Sequence, residues 1–403
     1  MRRDTLQTMI TRDTTLHEIA ENYPEALPAL VESGFPALRE KHNLQRIGRS
    51  ITLAMAATMK GLDADALDSR LNDSVAQGDD SPRRTPEDLW IAGMLPCPVR
   101  LPLSESINDA AEAVSRSEGI RLHSEFQAAY AGTDWIAQHV RPGMKPAEFP
   151  DLLLAAGYRL FFTDPTILSF RDSGVFTDYS GWNGVNEPFR EAHFCDPAGR
   201  YTVLGAVPAI ILANPEELGD RKVPESWEEI LSPEYAGMLS VPMGDFDLFD
   251  GLVLTIYGRY GEVGIEALQR NLFRSMHPSQ AVAAEGSSSQ PGLAVVPYFF
   301  ASTLRRESND IPVWPREGAF AAPIFMLTRS ERPEIEELAR FVAGPEVAQI
   351  LWKMGRFPAA HPEVAAGLPG PLLWPGWDYL LHRELEPILA HAEERLFGTG
   401  APV

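Results

Sequence analysis

The sequence predicts an α/β protein with largely parallel strands, preceded by a small all-α N-terminal domain. After residue 88 short apolar runs alternate with amphipathic stretches, the pattern of strands joined by helices. Before residue 75 the apolar positions follow helical spacing between capping signals. Residues 76–87 (AQGDDSPRRTPE) are polar, hold glycine and proline, and read as a linker. At 403 residues the chain is too long for one ordinary core, so two or three domains are expected.

In the N-terminal part Thr14 or Thr15 caps a first helix through Ala20, with Glu18 placed as capping-box partner of Thr15. Tyr23-Pro24 breaks that helix, and Glu25–Glu32 forms a second, ended by Ser33-Gly34. Ile51–Met59 and Ala64–Leu71 supply two more. In the α/β part strands are expected at Trp90–Leu95, Tyr158–Phe162, Pro208–Leu212, Met238–Val241 and Leu293–Val296. Helices are expected at Ile107–Val114, Leu248–Tyr257, Glu334–Val342 and Pro345–Met354. Trp374 and Trp377 are expected to seal a core edge.

The formal charge of −21 argues against nucleic acid and against anionic membrane surfaces, both of which need a basic face. No run of about twenty apolar residues occurs, so no helix is expected to insert in a membrane. The start, MRRDTLQTMI, has two arginines and no apolar core behind them. With an added N-terminal domain after Met1, the chain is expected in the cytoplasm, where Cys97 and Cys195 stay free. His193 and Cys195 lie two apart, but the turn Asp196-Pro197-Ala198-Gly199 follows them at once. No His/Cys cluster supplies the three or four ligands of a metal site, so neither metal nor cofactor is expected.

The most informative stretch is VPAIILANPEELGDRKVPESWEEILSPEYAGMLSVP, residues 207–242. Asn214, Pro224, Ser226, Trp227, Pro233, Glu234, Tyr235 and Gly237 resemble the central motif of bacterial ABC-transporter solute-binding proteins of the iron(III)/small-anion type. The resemblance extends more weakly over about residues 88–395. It implies the two-lobed type II periplasmic-binding-protein fold, with a hinge and a cleft. Lobe one would comprise 88–205 and 301–403, lobe two 206–300. Residues 1–75 are similar to the small helical redox-disulfide-associated domain through Ile10-Thr11-Arg12-Asp13-Thr14-Thr15, Tyr23-Pro24-Glu25 and Gly34-Phe35. Many relatives carry a cysteine pair after that glycine, whereas here Gly34–Arg39 holds none, so docking of a protein partner is the expected role.

In the implied fold four strand ends converge on one cleft, and ligands lie beyond the carboxyl ends of strands. Cys97 follows the first strand between two prolines. Ser104 and Ser106 stand where a helix N-cap is expected, a place that serves capping or an anion equally. Thr163 and Asp164 follow the strand at 158–162. Gly244, Asp245, Phe246 and Asp247 follow 238–241, and Tyr298 and Phe299 follow 293–296. Asp247 and Asp250 have the spacing of helix-start caps; facing the cleft, they would favour a cation, an amine or a hydroxylated molecule. Tyr298 stands near the position of the adjacent tyrosines of iron-binding relatives. Its neighbours Phe299 and Phe300 leave that pair incomplete. The loop 285–292 (EGSSSQPG) serves as an anion cradle or a plain connection.

No nucleophile elbow, zincin helix, phosphate loop or C-x-x-C motif is present. The sequence therefore predicts a non-catalytic protein that closes on a small-molecule ligand by hinge motion. Two other readings stay open: an enzyme on the same scaffold using Cys97, and a ligand-free interaction scaffold.

Overall fold

The structure, a computed structural model, describes residues 10–12, 14–23, 26, 29–30, 51–60, 67–72, 85, 87–96, 98–128, 140–242, 246–276, 290–301, 303–304, 308–332, 335–365 and 367–398. The chain divides into two compact units, one within Met1–Arg84 and one over Thr85–Ala401.

The first unit contains helices α1 (Leu16–Asn22) and α2 (Leu53–Lys60), and residues 67–72 are also helical. The capping box forms as its residues dictate. Thr15 Oγ1 accepts from the Glu18 amide at 3.2 Å, and Glu18 accepts from the Thr15 amide at 2.9 Å. Leu16, Ile19, Leu53, Ala56, Ala57, Leu67 and Leu71 turn into one small core with Ile10 and Leu30. Asn72 closes it, accepting from the Ile10 amide and donating to the Ile10 carbonyl at 2.9 and 2.8 Å. Most of the expected helix at 25–32 and the loop Gly34–Arg39 lie outside the described residues, as does nearly all of the linker.

The second unit is built on one ten-stranded sheet. Its strands are β1 (Leu89–Leu95), β2 (Leu122–Ala128), β3 (Leu152–Ala156), β4 (Thr202–Ala213), β5 (Leu239–Pro242), β6 (Leu272–Met276), β7 (Leu293–Pro297), β8 (Ile311–Val313), β9 (Ala319–Thr328) and β10 (Leu372–Leu373). The main path runs β2-β1-β3-β9-β4-β7-β5-β6. Each flank is parallel, as the alternation of strand and helix requires. The centre departs from the expected parallel sheet: β9 is antiparallel to both β3 and β4, and β4 is antiparallel to β7. The cause is connectivity, since one central strand carries the chain across and the other carries it back. β4 pairs with β9 over Thr202–Ala209 and with β7 over Ala209–Ala213. Every residue of β4 and β9 is buried. Two parallel flanks joined by a long shared pair make the two-lobed type II architecture.

The helices of this unit are α3 (Arg100–Glu118), α4 (Arg159–Thr163), α5 (Pro165–Asp172), α6 (Glu187–Glu191), α7 (Pro215–Leu218), α8 (Trp227–Ile230), α9 (Phe246–Asn271), α10 (Tyr298–Ala301), α11 (Glu336–Val342), α12 (Pro345–Gly355), α13 (Trp377–His382) and α14 (Leu385–Phe397). Three expectations need correction. The strand placed at Tyr158–Phe162 lies earlier, at 152–156, and 159–163 is helical. Both windows are apolar, and the divider is Gly157, whose φ of 102° ends the strand in a conformation that favours glycine. The helix expected at Ile107 starts at Arg100, because Pro102 is tolerated in a first turn. α9 is longer than expected and is broken at Gly261, where φ is 60° and ψ −149°.

The central motif acts on β9. Ser226 caps α8 by accepting from the Glu229 amide at 3.1 Å. The Trp227 indole stacks on Phe320 of β9 with centroids 3.7 Å apart and donates to the Gly318 carbonyl at 2.8 Å. Trp374 stacks on Phe194, while Trp377 packs against Phe162, Tyr201 and Phe325, sealing the core as their sequence positions suggest. A buried ion pair locks β9 to the first flank. Asp151 accepts from Arg329 Nε at 2.9 Å and from the Trp90 amide at 2.7 Å, with the residues 1% and 3% exposed. Asp151→Ala is expected to strand the Arg329 charge and cost about 3–5 kcal/mol, read as a lower urea midpoint. Trp227→Ala should cost a similar amount, about 3–5 kcal/mol, through the cavity left on Phe320.

Candidate functional site

The elements that follow the carboxyl ends of β3 and β5 come together. Gly157 donates to the Pro323 carbonyl at 2.9 Å, and the next residue, Tyr158, is buried with its hydroxyl donating to the Ala321 carbonyl at 2.7 Å. The edge of that ring lies against Gly251 of α9, where an added Cβ would sit 3.3 Å from Tyr158 Cε2. Beside it Arg159, the first residue of α4, reaches into the first turns of α9. Its Nε and Nη2 donate in a fork to the two oxygens of Asp250, each at 3.3 Å. Nη1 donates to Glu386 at 3.1 Å and Nη2 to Glu393 at 2.5 Å, both on α14.

One guanidinium thus faces three carboxylates. Burial pushes the Asp250 carboxyl up to about 6, outweighing the pull of Arg159, and Asp250 is only 1% exposed. Burial opposes the charge on Arg159 as well, but Asp250, Glu393 and Glu386 overcome it and hold the guanidinium pKa above its ordinary range. The corner thus carries more negative charge than the one guanidinium balances.

The structure places the expected site residues unevenly. Cys97, Gly244 and Asp245 lie outside the described residues. Phe246 and Asp247 open α9, with side chains likewise outside. Ser104 and Ser106 are inside α3, whose N-cap is Val99. The Ser104 hydroxyl donates to the Leu101 carbonyl at 3.0 Å and that of Ser106 to Glu346 at 2.9 Å. Thr163 ends α4, its hydroxyl donating to the Arg159 carbonyl at 2.8 Å, and Asp164 caps α5 through the amides of Thr166 and Ile167. Local helix chemistry therefore occupies Ser104, Thr163 and Asp164, and a contact between α3 and α12 occupies Ser106. Tyr298 opens α10 and meets Trp314 edge-on at 5.2 Å; Phe299 meets Phe300 edge-on at 5.4 Å. Both remain half-buried.

Sequence reasoning missed Arg159, Glu386 and Glu393 and read Asp250 as a helix cap. The available signal was a lone arginine in the apolar run GYRLFF, where a charge needs a partner. Cys195 is exposed, and partial burial followed by Asp178 raises its thiol above the usual range, so it is no activated thiolate. Among the described residues no group of three His, Cys, Asp or Glu side chains could hold a metal, and no helix is long and apolar enough to cross a membrane.

Residues 147–383 match the family profile of bacterial extracellular solute-binding proteins, and residues 10–67 match a domain of unknown function, DUF1858. No curated protein matches the chain. Among solved structures, the ferric iron-binding protein A of Mannheimia haemolytica in an open conformation is 12% identical, covering 78% of this chain and 100% of that one with a TM-score of 0.52. The Trichodesmium protein IdiA (FutA) in complex with iron and citrate is 10% identical, covering 77% and 100%, with a TM-score of 0.54. An ABC transporter protein from Clostridium perfringens is 13% identical, covering 77% and 98%, with a TM-score of 0.51. At these identities the likeness is one of fold. The family match overturns the expected cytoplasmic location, because the matching family is extracellular.

The raised pKa of Asp250 has a definite sign. Its folded value near 6 exceeds the ordinary 3.8, so its stabilising contribution is full below pH 3.8 and is lost as pH rises through about 6. Asp250→Asn should flatten the fall in stability between those values, measured as urea midpoints at several pH values. Arg159→Met, which leaves Asp250 without its counter-ion, should destabilise the fold by about 3–5 kcal/mol in the same assay at pH 7.

Proposed function

Because the chain belongs to the bacterial extracellular solute-binding protein family, we propose that it is a non-catalytic protein whose two lobes close on a small organic molecule bearing an amine or several hydroxyls. The observation that carries this reading is the meeting of Arg159 with Asp250. The residues beyond β3 and β5, from opposite flanks, converge on one place, as ligand sites in open α/β sheets do. The carboxylate surplus there supports the ligand class; the half-buried rings of Tyr298 and Phe299, which follow β7 and pack on two different apolar clusters, are read as stacking faces. The lobes are read as 88–205 with 301–403, and 206–300; the change of β4 partner at Ala209 supports the first crossing.

Two of the structural neighbours are iron-binding by name. Here a single tyrosine is followed by Phe299 and Phe300, which supply no second phenolate, and this supports an organic ligand over ferric ion. The DUF1858 domain, with no cysteine, is read as the docking module for a protein partner.

A thermal-shift screen of the full chain with polyols, sugars, polyamines, amino acids and ferric citrate tests the reading. A ligand at a hundred times its Kd should add about 2.7 kcal/mol, a rise of several degrees. Tyr298→Ala with Phe299→Ala should remove that rise while leaving the ligand-free stability within about 2 kcal/mol of the parent. A ligand that stabilises the double variant as well as the parent would place the site elsewhere. A response confined to ferric citrate would refute the organic class.

A further inference from the structure

The Arg159 cluster occupies a special place in the topology. β3 and the helix that follows it, α4, belong to the β2-β1-β3 flank, and β5 and α9 belong to the β7-β5-β6 flank. Only β9 and β4 lie between. The fork from Arg159 to Asp250 is therefore a direct bond from one lobe to the other, made outside the two strands that connect them. Tyr158 presses on Gly251 at the same place. α14 sits against both sides, offering Glu386 and Glu393 to the same guanidinium.

We infer that Arg159 and Asp250 form a proton-linked latch between the lobes, closed most firmly when Asp250 carries a proton. The inference rests on the two-lobed fold and not on the identity of any ligand. With the lobes together, Asp250 is sealed from water in the company of two further carboxylates. Its protonation leaves two negative charges facing Arg159 in place of three, and the unprotonated carboxyl oxygen still accepts from the guanidinium. When the lobes part, Asp250 regains water, returns to ordinary carboxylate behaviour and releases the proton. Closure therefore takes up a proton, and acidification favours it. The charged groups facing Asp250 are Arg159 from α4 and Glu386 and Glu393 from α14. β9 and β5 carry no titratable residue, and the Tyr158 hydroxyl is committed to the Ala321 carbonyl. On α9 itself Asp247 stands one turn earlier.

The size of the effect is bounded by the difference between the open and closed carboxyl. A change from 3.8 to about 6 limits the shift in the closure equilibrium to on the order of a hundredfold.

Hydrogen–deuterium exchange of the ligand-free full chain between pH 4.5 and 7.5, corrected for intrinsic exchange, tests the latch. The amides of α4 and the first turns of α9 should open tenfold to a hundredfold less often at the acid end, while β1 and β3 serve as the control for global unfolding. Asp250→Asn, which mimics the protonated state, should hold low opening at every pH. Glu393→Gln removes a neighbouring charge from a residue 24% exposed and should move the midpoint to lower pH. Flat protection of α4 and α9 across the range overturns the inference, as does an Asp250→Asn variant that keeps the parent's pH dependence. Should that variant fail to fold, an unmoved midpoint in Glu393→Gln counts equally against it.

Discussion

β4 and β9 have no solvent side: each of their residues is buried, β9 pairs with β3 of one flank, β4 pairs with β7 of the other, and the two pair with each other. That constraint organises the rest of the unit. A pair buried on both faces must be apolar throughout, as TVLGAVPAIILA and AFAAPIFMLT are. It must also be fixed in register, because a slip would displace both flanks at once. The neighbouring chemistry serves that need. Trp227 covers Phe320 near one end of β9, and Arg329 beyond the other end is tied to Asp151. The family motif acts here through packing: its tryptophan covers the strand that the two flanks share.

Much of the fold was legible because it depends on neighbours in sequence. The capping box at Thr15 and Glu18, the cap at Ser226, and the strands at 89–95 and 293–297 all follow from short-range chemistry. The failure at β3 was local too. LLLAA and RLFF are equally apolar, and the decisive feature was one glycine with a positive φ. The antiparallel centre was illegible for a different reason, since alternation of strand and helix says nothing about which strand carries the chain back.

The site was read less well than the fold. Ser104, Ser106, Thr163 and Asp164 have the right residue types after the right strands, yet bonds within their own helices absorb three of them and Glu346 of α12 takes the Ser106 hydroxyl. The group that does join the two flanks, Arg159, finds its carboxylates 91, 227 and 234 residues away. No window of sequence contains such a pairing, and only the unusual setting of an arginine among buried aromatics hinted at it. Location was misread because charge and composition describe solubility, which is common to proteins on both sides of a membrane.

The ion pair between Asp151 and Arg329 closes a span of 178 residues, and β3 needs β9 as its outer neighbour over the same interval. During synthesis the first lobe therefore emerges with one sheet edge bare and one buried carboxylate lacking its counter-charge. At ordinary translation speeds that condition lasts roughly ten to forty seconds. Throughout it the apolar strand LLLAA offers open backbone to any passing chain. The two flanks are not independent in birth: the ribosome must deliver β9 before the sheet edge at β3 can be closed.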